Sequence, residues 1–152
     1  MLRLAVAVGP AERSQPSDRE RMGEHPNLVV AQRLWDAIAR ADAPALRALM
    51  SEKTVWRMPG NSPLAGTYLG VDAVLQFMAR VGELADDLHS DLIDVFVSDR
   101  GAVLRYGIHA IRGTRSLDIE HLFMIRVDEG RITEAVFAPF DQHRYDRFFS
   151  FQ

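Results

Sequence analysis

The stretch Leu117-Asp118-Ile119-Glu120-His121-Leu122-Phe123-Met124-Ile125-Arg126-Val127-Asp128 decides the fold. Leu117, Ile119, His121, Phe123, Ile125 and Val127 alternate with Asp118, Glu120, Leu122, Met124, Arg126 and Asp128, a period of two that gives a sheet strand one strongly apolar face. Leu88 to Ser98, Ala102 to Arg112 and Arg131 to Phe140 share its enrichment in β-branched and aromatic residues, and short polar or glycine turns separate them. Four long antiparallel strands are expected. A helix from about Asp141 should follow, with Asp141 as its cap and Tyr145, Phe148 and Phe149 on its buried side.

Upstream the period changes. Leu28, Ala31, Leu34, Trp35 and Ile38 recur at helical steps, so a helix runs to about Arg40 with Asn27 as N-cap. Asp42 caps a second, short helix that tolerates Pro44 in its first turn and carries Leu46, Leu49 and Met50. Thr54 to Met58 is strand-like, and Pro59-Gly60-Asn61-Ser62-Pro63-Leu64-Ala65-Gly66 demands an irregular loop. Asp72 opens a third helix with Val71, Val74, Leu75, Met78 and Val81 as its stripe, ending near Gly82. Residues 1–25 lack apolar periodicity and are expected to form a disordered tail. Their apolar start stops short of a full signal sequence. Residues 26–152 make a single domain.

Composition narrows the function. Of 152 residues, 47% are hydrophobic and 26% charged, enough for a packed core. A net charge of −3 supplies no basic field for a phosphate backbone, so nucleic acid is not an expected partner. Without cysteine there is no thiolate nucleophile and no sulfur-bound metal. The single lysine, Lys53, sits beside Glu52 in a turn-like context that does not suit Schiff-base chemistry. No GxGxxG, GxxxxGK[ST] or HExxH pattern occurs, so neither a cofactor nor a metal is expected. No run of 18 apolar residues is present, hence no membrane span is expected, and the cytoplasm is the default location.

Helices first and an antiparallel sheet afterwards imply an α+β domain: a cone-shaped, curved sheet wrapped around an N-terminal helical hairpin and a third helix, enclosing a pocket. This order, with Trp56-Arg57-Met58-Pro59-Gly60, Ser62-Pro63-Leu64-Ala65-Gly66, Tyr68-Leu69-Gly70 and Val127-Asp128-Glu129-Gly130-Arg131-Ile132, resembles the SnoaL-like branch of the nuclear transport factor 2-like superfamily over residues 26–150. That superfamily includes polyketide cyclases, ketosteroid isomerase, limonene epoxide hydrolase and scytalone dehydratase, and members that only bind or dimerise. The resemblance implies a homodimer, and the outer faces of the long sheet need cover in any case.

Chemistry turns on His109 and His121, which fall in adjacent strands. A three-residue loop, Thr114 to Ser116, would set them opposite each other on one face. A two-residue loop at Gly113-Thr114 would instead pair His121 with Tyr106 and send His109 to the other face. The resemblance favours the first register, because the epoxide hydrolase's strand aspartate corresponds to His109 and a pocket-lining aliphatic to His121. Its arginine and second aspartate fall on Gly107 and Phe137. The isomerase's catalytic tyrosine and aspartate fall on Leu34 and Met58. Neither machinery is inherited.

The expected site therefore has His109 as base, His121 as donor to a developing oxyanion and Asp94 pointing inward to fix a tautomer. Trp56, Met58, Tyr68, Gly107 and Phe137 would shape a pocket for a small apolar or aromatic molecule, Gly107 by leaving room on a strand. The implied function is cofactor-independent cyclisation, isomerisation or dehydration. Its rivals are a non-catalytic ligand-binding or dimerising domain and an epoxide-opening enzyme.

Overall fold

The computed structural model describes residues 5–7 and 25–151. Helix α1 (Pro26–Ala39) and helix α2 (Ala43–Leu49) form the hairpin. The α1 cap is His25 rather than Asn27: the Asn27 amide donates to His25 Nδ1 at 3.1 Å, and the Asn27 side chain donates to the Ser98 carbonyl at 2.7 Å. Asp42 caps α2 as expected, accepting from the Ala45 amide at 3.0 Å.

Strand β2 (Val55–Met58) leads through the 59–65 loop into β3 (Gly66–Leu69), a strand that the proline- and glycine-rich reading of this segment did not anticipate. Helix α3 (Val71–Leu84) follows, then the long strands β4 (Asp87–Ser98), β5 (Gly101–Arg112), β6 (Arg115–Asp128) and β7 (Arg131–Pro139), and helix α4 (Gln142–Phe149). β4 to β7 run antiparallel in sequence order, and β7 pairs in parallel with β2, which pairs with β3. A short strand β1 (Ala5–Ala7) pairs in parallel with β4. The expected tail otherwise lies outside the described residues.

The sheet is curved and unclosed. Register shifts leave one extra residue unpaired in β4, Ile93, and one in β7, Thr133, bulges of the kind that bend a strand. Its inner face buries Leu104, Leu117, Phe123, Ile125 and Ile132 against Leu34, Leu46 and Val74 of the helices. Each such side chain contributes roughly 1.5–3 kcal/mol by leaving water.

The β5–β6 connection corrects the register. Arg112 pairs with Arg115, so the loop is the two residues Gly113-Thr114, and Gly113 takes φ +57°. Glycine at the first central position of a two-residue hairpin meets that demand at no steric cost. The Gly113 amide also donates to Asp86 at 2.6 Å. His121 consequently faces Tyr106, and His109 faces Asp118.

Candidate functional site

Between the concave sheet face and the helices lies a cavity of about 530 Å³. One wall is hydrocarbon. Phe123 and Phe137 stack at 4.2 Å with planes 2° apart, and Trp56 packs 5.0 and 5.3 Å from them. Phe77 of α3 closes this wall. The other wall is aromatic with polar handles. Trp35 of α1 lies 5.2 Å from Tyr106 of β5. Tyr106 stacks on His121 of β6 at 5.2 Å and 18°, and Tyr145 of α4 meets His121 edge-on at 5.3 Å. Ala41, Ala79 and Glu83, the exposed members of the lining, mark where the cavity reaches the surface.

Strand parity and helix docking position these groups. Leu104, Tyr106, Ile108 and Ala110 form the buried set of β5 and place Tyr106 beside His121. Tyr145 depends on α4, which is held at both ends. Asp141 accepts from the Arg144 amide at 3.0 Å, and Asp146 accepts from the Asn61 and Ser62 amides at 3.0 and 3.2 Å. At the other end Arg112 Nη1 donates to the Phe148, Phe149 and Ser150 carbonyls, and Arg115 to those of Arg147 and Ser150. A cation against the carbonyl end of a helix is the favourable polarity. Gly60 lies against the ends of the Gln142 and Asp146 side chains at φ +98°, a backbone conformation that residues other than glycine rarely adopt.

Burial sets the protonation states. It pushes the His121 imidazole down to about 4, with the Ile119 backbone only partly opposing, so the ring is neutral at pH 7. Desolvation raises Tyr106 well above the ordinary phenol value, with Tyr145 adding to it, and raises Tyr145 too, with Asp146 and Tyr68 adding. Both phenols keep their protons. Three buried side-chain polar atoms lack a hydrogen-bond partner among the described residues: Trp35 Nε1, Trp56 Nε1 and His121 Nδ1. All three belong to residues lining this one cavity.

The expected site is thus divided. His121, Trp56, Met58 and Phe137 are brought together around the cavity. His109 is not among them: it is exposed on the outer face, with Nδ1 3.2 Å from Asp118 Oδ2, so the two imidazoles do not share a hollow. Asp94 is also exposed, its carboxylate accepting from the Val95 amide at 2.8 Å, because the bulge after Leu92 turns it outward. Gly107 shares the outer face with His109, where an added Cβ would meet Ile93 Cδ1 at an ordinary contact distance of 4.0 Å, so it opens no room in the pocket. Tyr68 sits behind the hydrocarbon wall, 4.8 Å from Phe77, and donates to the Leu64 carbonyl at 2.6 Å.

Sequence reasoning missed Trp35 and Tyr145 as lining groups and met Tyr106 as the partner of His121 in the two-residue-loop register, the one the structure adopts. The signal for Tyr106 was the apolar set of β5 itself: the register that turns His109 inward also turns the Arg105 charge inward. No group of three or more His, Asp or Glu side chains suited to a metal ion occurs among the described residues. No described helix is long and apolar enough to cross a membrane.

Comparison with known proteins agrees with this architecture. An uncharacterized protein of Mycobacterium tuberculosis H37Rv, Rv0034, is 30% identical over 114 residues, which cover 74% of this chain and 87% of that one. Among solved structures, Bal32a from a soil-derived mobile gene cassette superposes with a TM-score of 0.76 at 25% identity, over 82% of this chain and 96% of that chain. TerC, co-crystallized with polyporic acid, superposes with a TM-score of 0.73 at 15% identity, over 82% of this chain and 98% of that chain. Residues 31–135 match the model of the SnoaL-like domain. The chain belongs to the SnoaL-like family, and its fold is that of solved nuclear transport factor 2-like proteins.

Proposed function

We propose that this domain is a cofactor-independent acid-base enzyme acting on a bulky, mostly apolar ketone, of the cyclase, isomerase or dehydratase type, with His121 as its proton-transfer group. The observation that carries this reading is one neutral, buried imidazole with an unpartnered nitrogen on the wall of an otherwise largely aromatic and aliphatic cavity. Co-crystallization of the structural neighbour TerC with polyporic acid supports an organic small molecule as the occupant.

In this scheme the His121 nitrogen takes a proton from the carbon beside the carbonyl. The C–H electron pair moves into the new C=C bond, and the carbonyl π pair onto oxygen. Burial disfavours a lone imidazolium, but an enolate at hydrogen-bond distance compensates that cost, since each charge stabilises the other where water is excluded. Tyr106 and Tyr145, still protonated, are suited to donate to the enolate oxygen, each well-placed donor being worth about 3 kcal/mol in such sites. Return of the proton to another carbon gives isomerisation. Attack of the enolate carbon on a second carbonyl of the same molecule forms the C–C bond and moves that carbonyl's π pair onto its oxygen, and the alkoxide takes the proton back from His121, giving ring closure.

A non-catalytic binding domain is the rival reading, favoured by the lack of any carboxylate hydrogen-bonded to His121. Deuterium exchange at the carbon beside the carbonyl of 1-tetralone and 2-tetralone, followed by NMR in D₂O, separates the two. The enzyme reading expects exchange accelerated by the protein and abolished in His121→Phe, which still binds ketone. Binding without exchange in the unmodified protein would leave only the rival.

Cover of the outer face by a second copy belongs to the same proposal. Phe96, Met124, Ile93 and Ile111 are 54%, 44%, 44% and 38% exposed there, among the Arg105–Glu120 and His109–Asp118 pairs.

A further inference from the structure

We propose that Glu83 is the charge-selecting residue at the mouth of this cavity, favouring apolar ligands that carry a protonated amine over those that carry a carboxylate. This deepens the small-molecule reading above and rests on it. Among the described residues that line the cavity, Glu83 alone has a charged side chain, since His121 is neutral and no arginine, lysine or aspartate takes part.

Helix geometry puts the carboxylate at the opening. Leu75, Ala79 and Glu83 stand four residues apart on α3, share one stripe of the helix, and all line the cavity. Helical side chains lean toward the N-terminus, so Glu83 extends back over the turn of Ala79, whose small side chain leaves that space open. Both residues are exposed where the cavity meets the surface. Nothing ties the carboxylate elsewhere. Asp86 accepts from the Gly113 amide at 2.6 Å and Asp87 lies 3.0 Å from His89 Nε2, whereas Glu83 has no hydrogen-bond or ion-pair partner among the described residues. Arg80, the single cation of α3, acts on Tyr68 behind the hydrocarbon wall. On the α1–α2 side of the opening, Arg40 and Asp42 flank the lining residue Ala41 with opposite signs.

The end of α3 reinforces the sign. Among the described residues no donor reaches the Gly82, Glu83 or Leu84 carbonyls, and the last turn holds no basic residue. Gly82 lines the cavity and, having no side chain, can do so only with its backbone. A carboxylate beside the carbonyl end of a helix is the unfavourable polarity, and a cation at the mouth relieves it. At α4 the chain meets the same demand from within, through Arg112 and Arg115. With its ring frame inside, a ligand leaves its polar head at this opening. An ammonium head brings three donors to a rim of carboxylate and carbonyl oxygens. A carboxylate head meets like charge there and finds no cation on the lining. This discrimination works through charge over several ångströms and needs no sealed atom to be reached.

Three probes on one naphthalene frame test it at pH 7: 2-naphthylethylamine, 2-acetonaphthone and 2-naphthylacetate, which are cationic, neutral and anionic there. In the unmodified protein the amine should bind most tightly and the acid least, about tenfold apart. Glu83→Gln should bring amine and acid together, and Glu83→Arg should reverse their order. The gain of the acid in Glu83→Arg is decisive, because a variant that merely folds poorly loses all three probes, and the isosteric Glu83→Gln carries the test in that event. Equal affinities for amine and acid in the unmodified protein, or an order that Glu83→Gln leaves in place, would overturn the inference. Tetralone exchange that depends on His121 would stand through either result. Failure of all three probes to bind the unmodified protein would remove the cavity reading and this inference with it.

Discussion

Tyr106 and His109 are three residues apart on the same strand and meet opposite environments. Tyr106 is buried against His121, whereas His109 lies on the outer face beside Asp118. The inner face of β5 and β6 is aromatic and aliphatic, buried and short of hydrogen-bond partners. The outer face carries its charges in exposed pairs, Arg105 with Glu120 and His109 with Asp118. The difference teaches that a histidine's chemistry here is set by which side of one pleat it occupies. A ring behind the pleat loses its proton to burial; a ring in front keeps company with a carboxylate in water.

The largest expected contrast is in packing. Phe123→Ala on the inner face should cost about 3–5 kcal/mol in denaturant unfolding, from lost burial and the cavity left behind. Met124→Ala, its neighbour on the outer face, should cost far less at a protein concentration where the chain is monomeric. Comparable losses would mean that the outer face is not free.

Next comes acid stability. His121 takes up protons more readily unfolded, near 6.5, than folded, near 4, so stability should fall as pH drops through that window, by up to about 3 kcal/mol. His121→Leu should flatten this limb in urea titrations at pH 4–7, while His109→Leu should leave it in place. A limb unchanged in His121→Leu would place its origin elsewhere.

Helix α4 gives the third contrast. Arg112→Ala removes a charged donor from three carbonyls and should cost about 1–3 kcal/mol, with faster amide exchange confined to α4. His109→Ala breaks only an exposed pair and should fall below about 1 kcal/mol. Gly113→Ala should be of similar small size, because alanine at φ +57° is strained by about 1 kcal/mol.

The four long strands, the helical hairpin and the capping roles of Asp42 and Asp141 were legible in the sequence because each rests on a local period or a local hydrogen bond. Trp56, Met58 and Phe137 were legible as lining because strand alternation fixes their side. Register between two strands is not local, and it misled. A choice between a two- and a three-residue loop turned His109 from neighbour of His121 into a solvent-facing group, and Gly107 and Asp94 also proved to face outward. Trp35 and Tyr145 were read only as core-facing helix positions, since helical spacing shows the buried side without showing that a hollow lies beyond it. β3 escaped notice because glycine and proline dominate the segment leading into it.

The most direct measurement is a pH titration of the histidine ring resonances by NMR, with His121 assigned through His121→Gln. The His121 signal should hold its neutral-form shift down through pH 6 and move only as the pH approaches about 4. A midpoint at or above the ordinary imidazole value near 6.5 would contradict the buried, neutral ring on which the site depends.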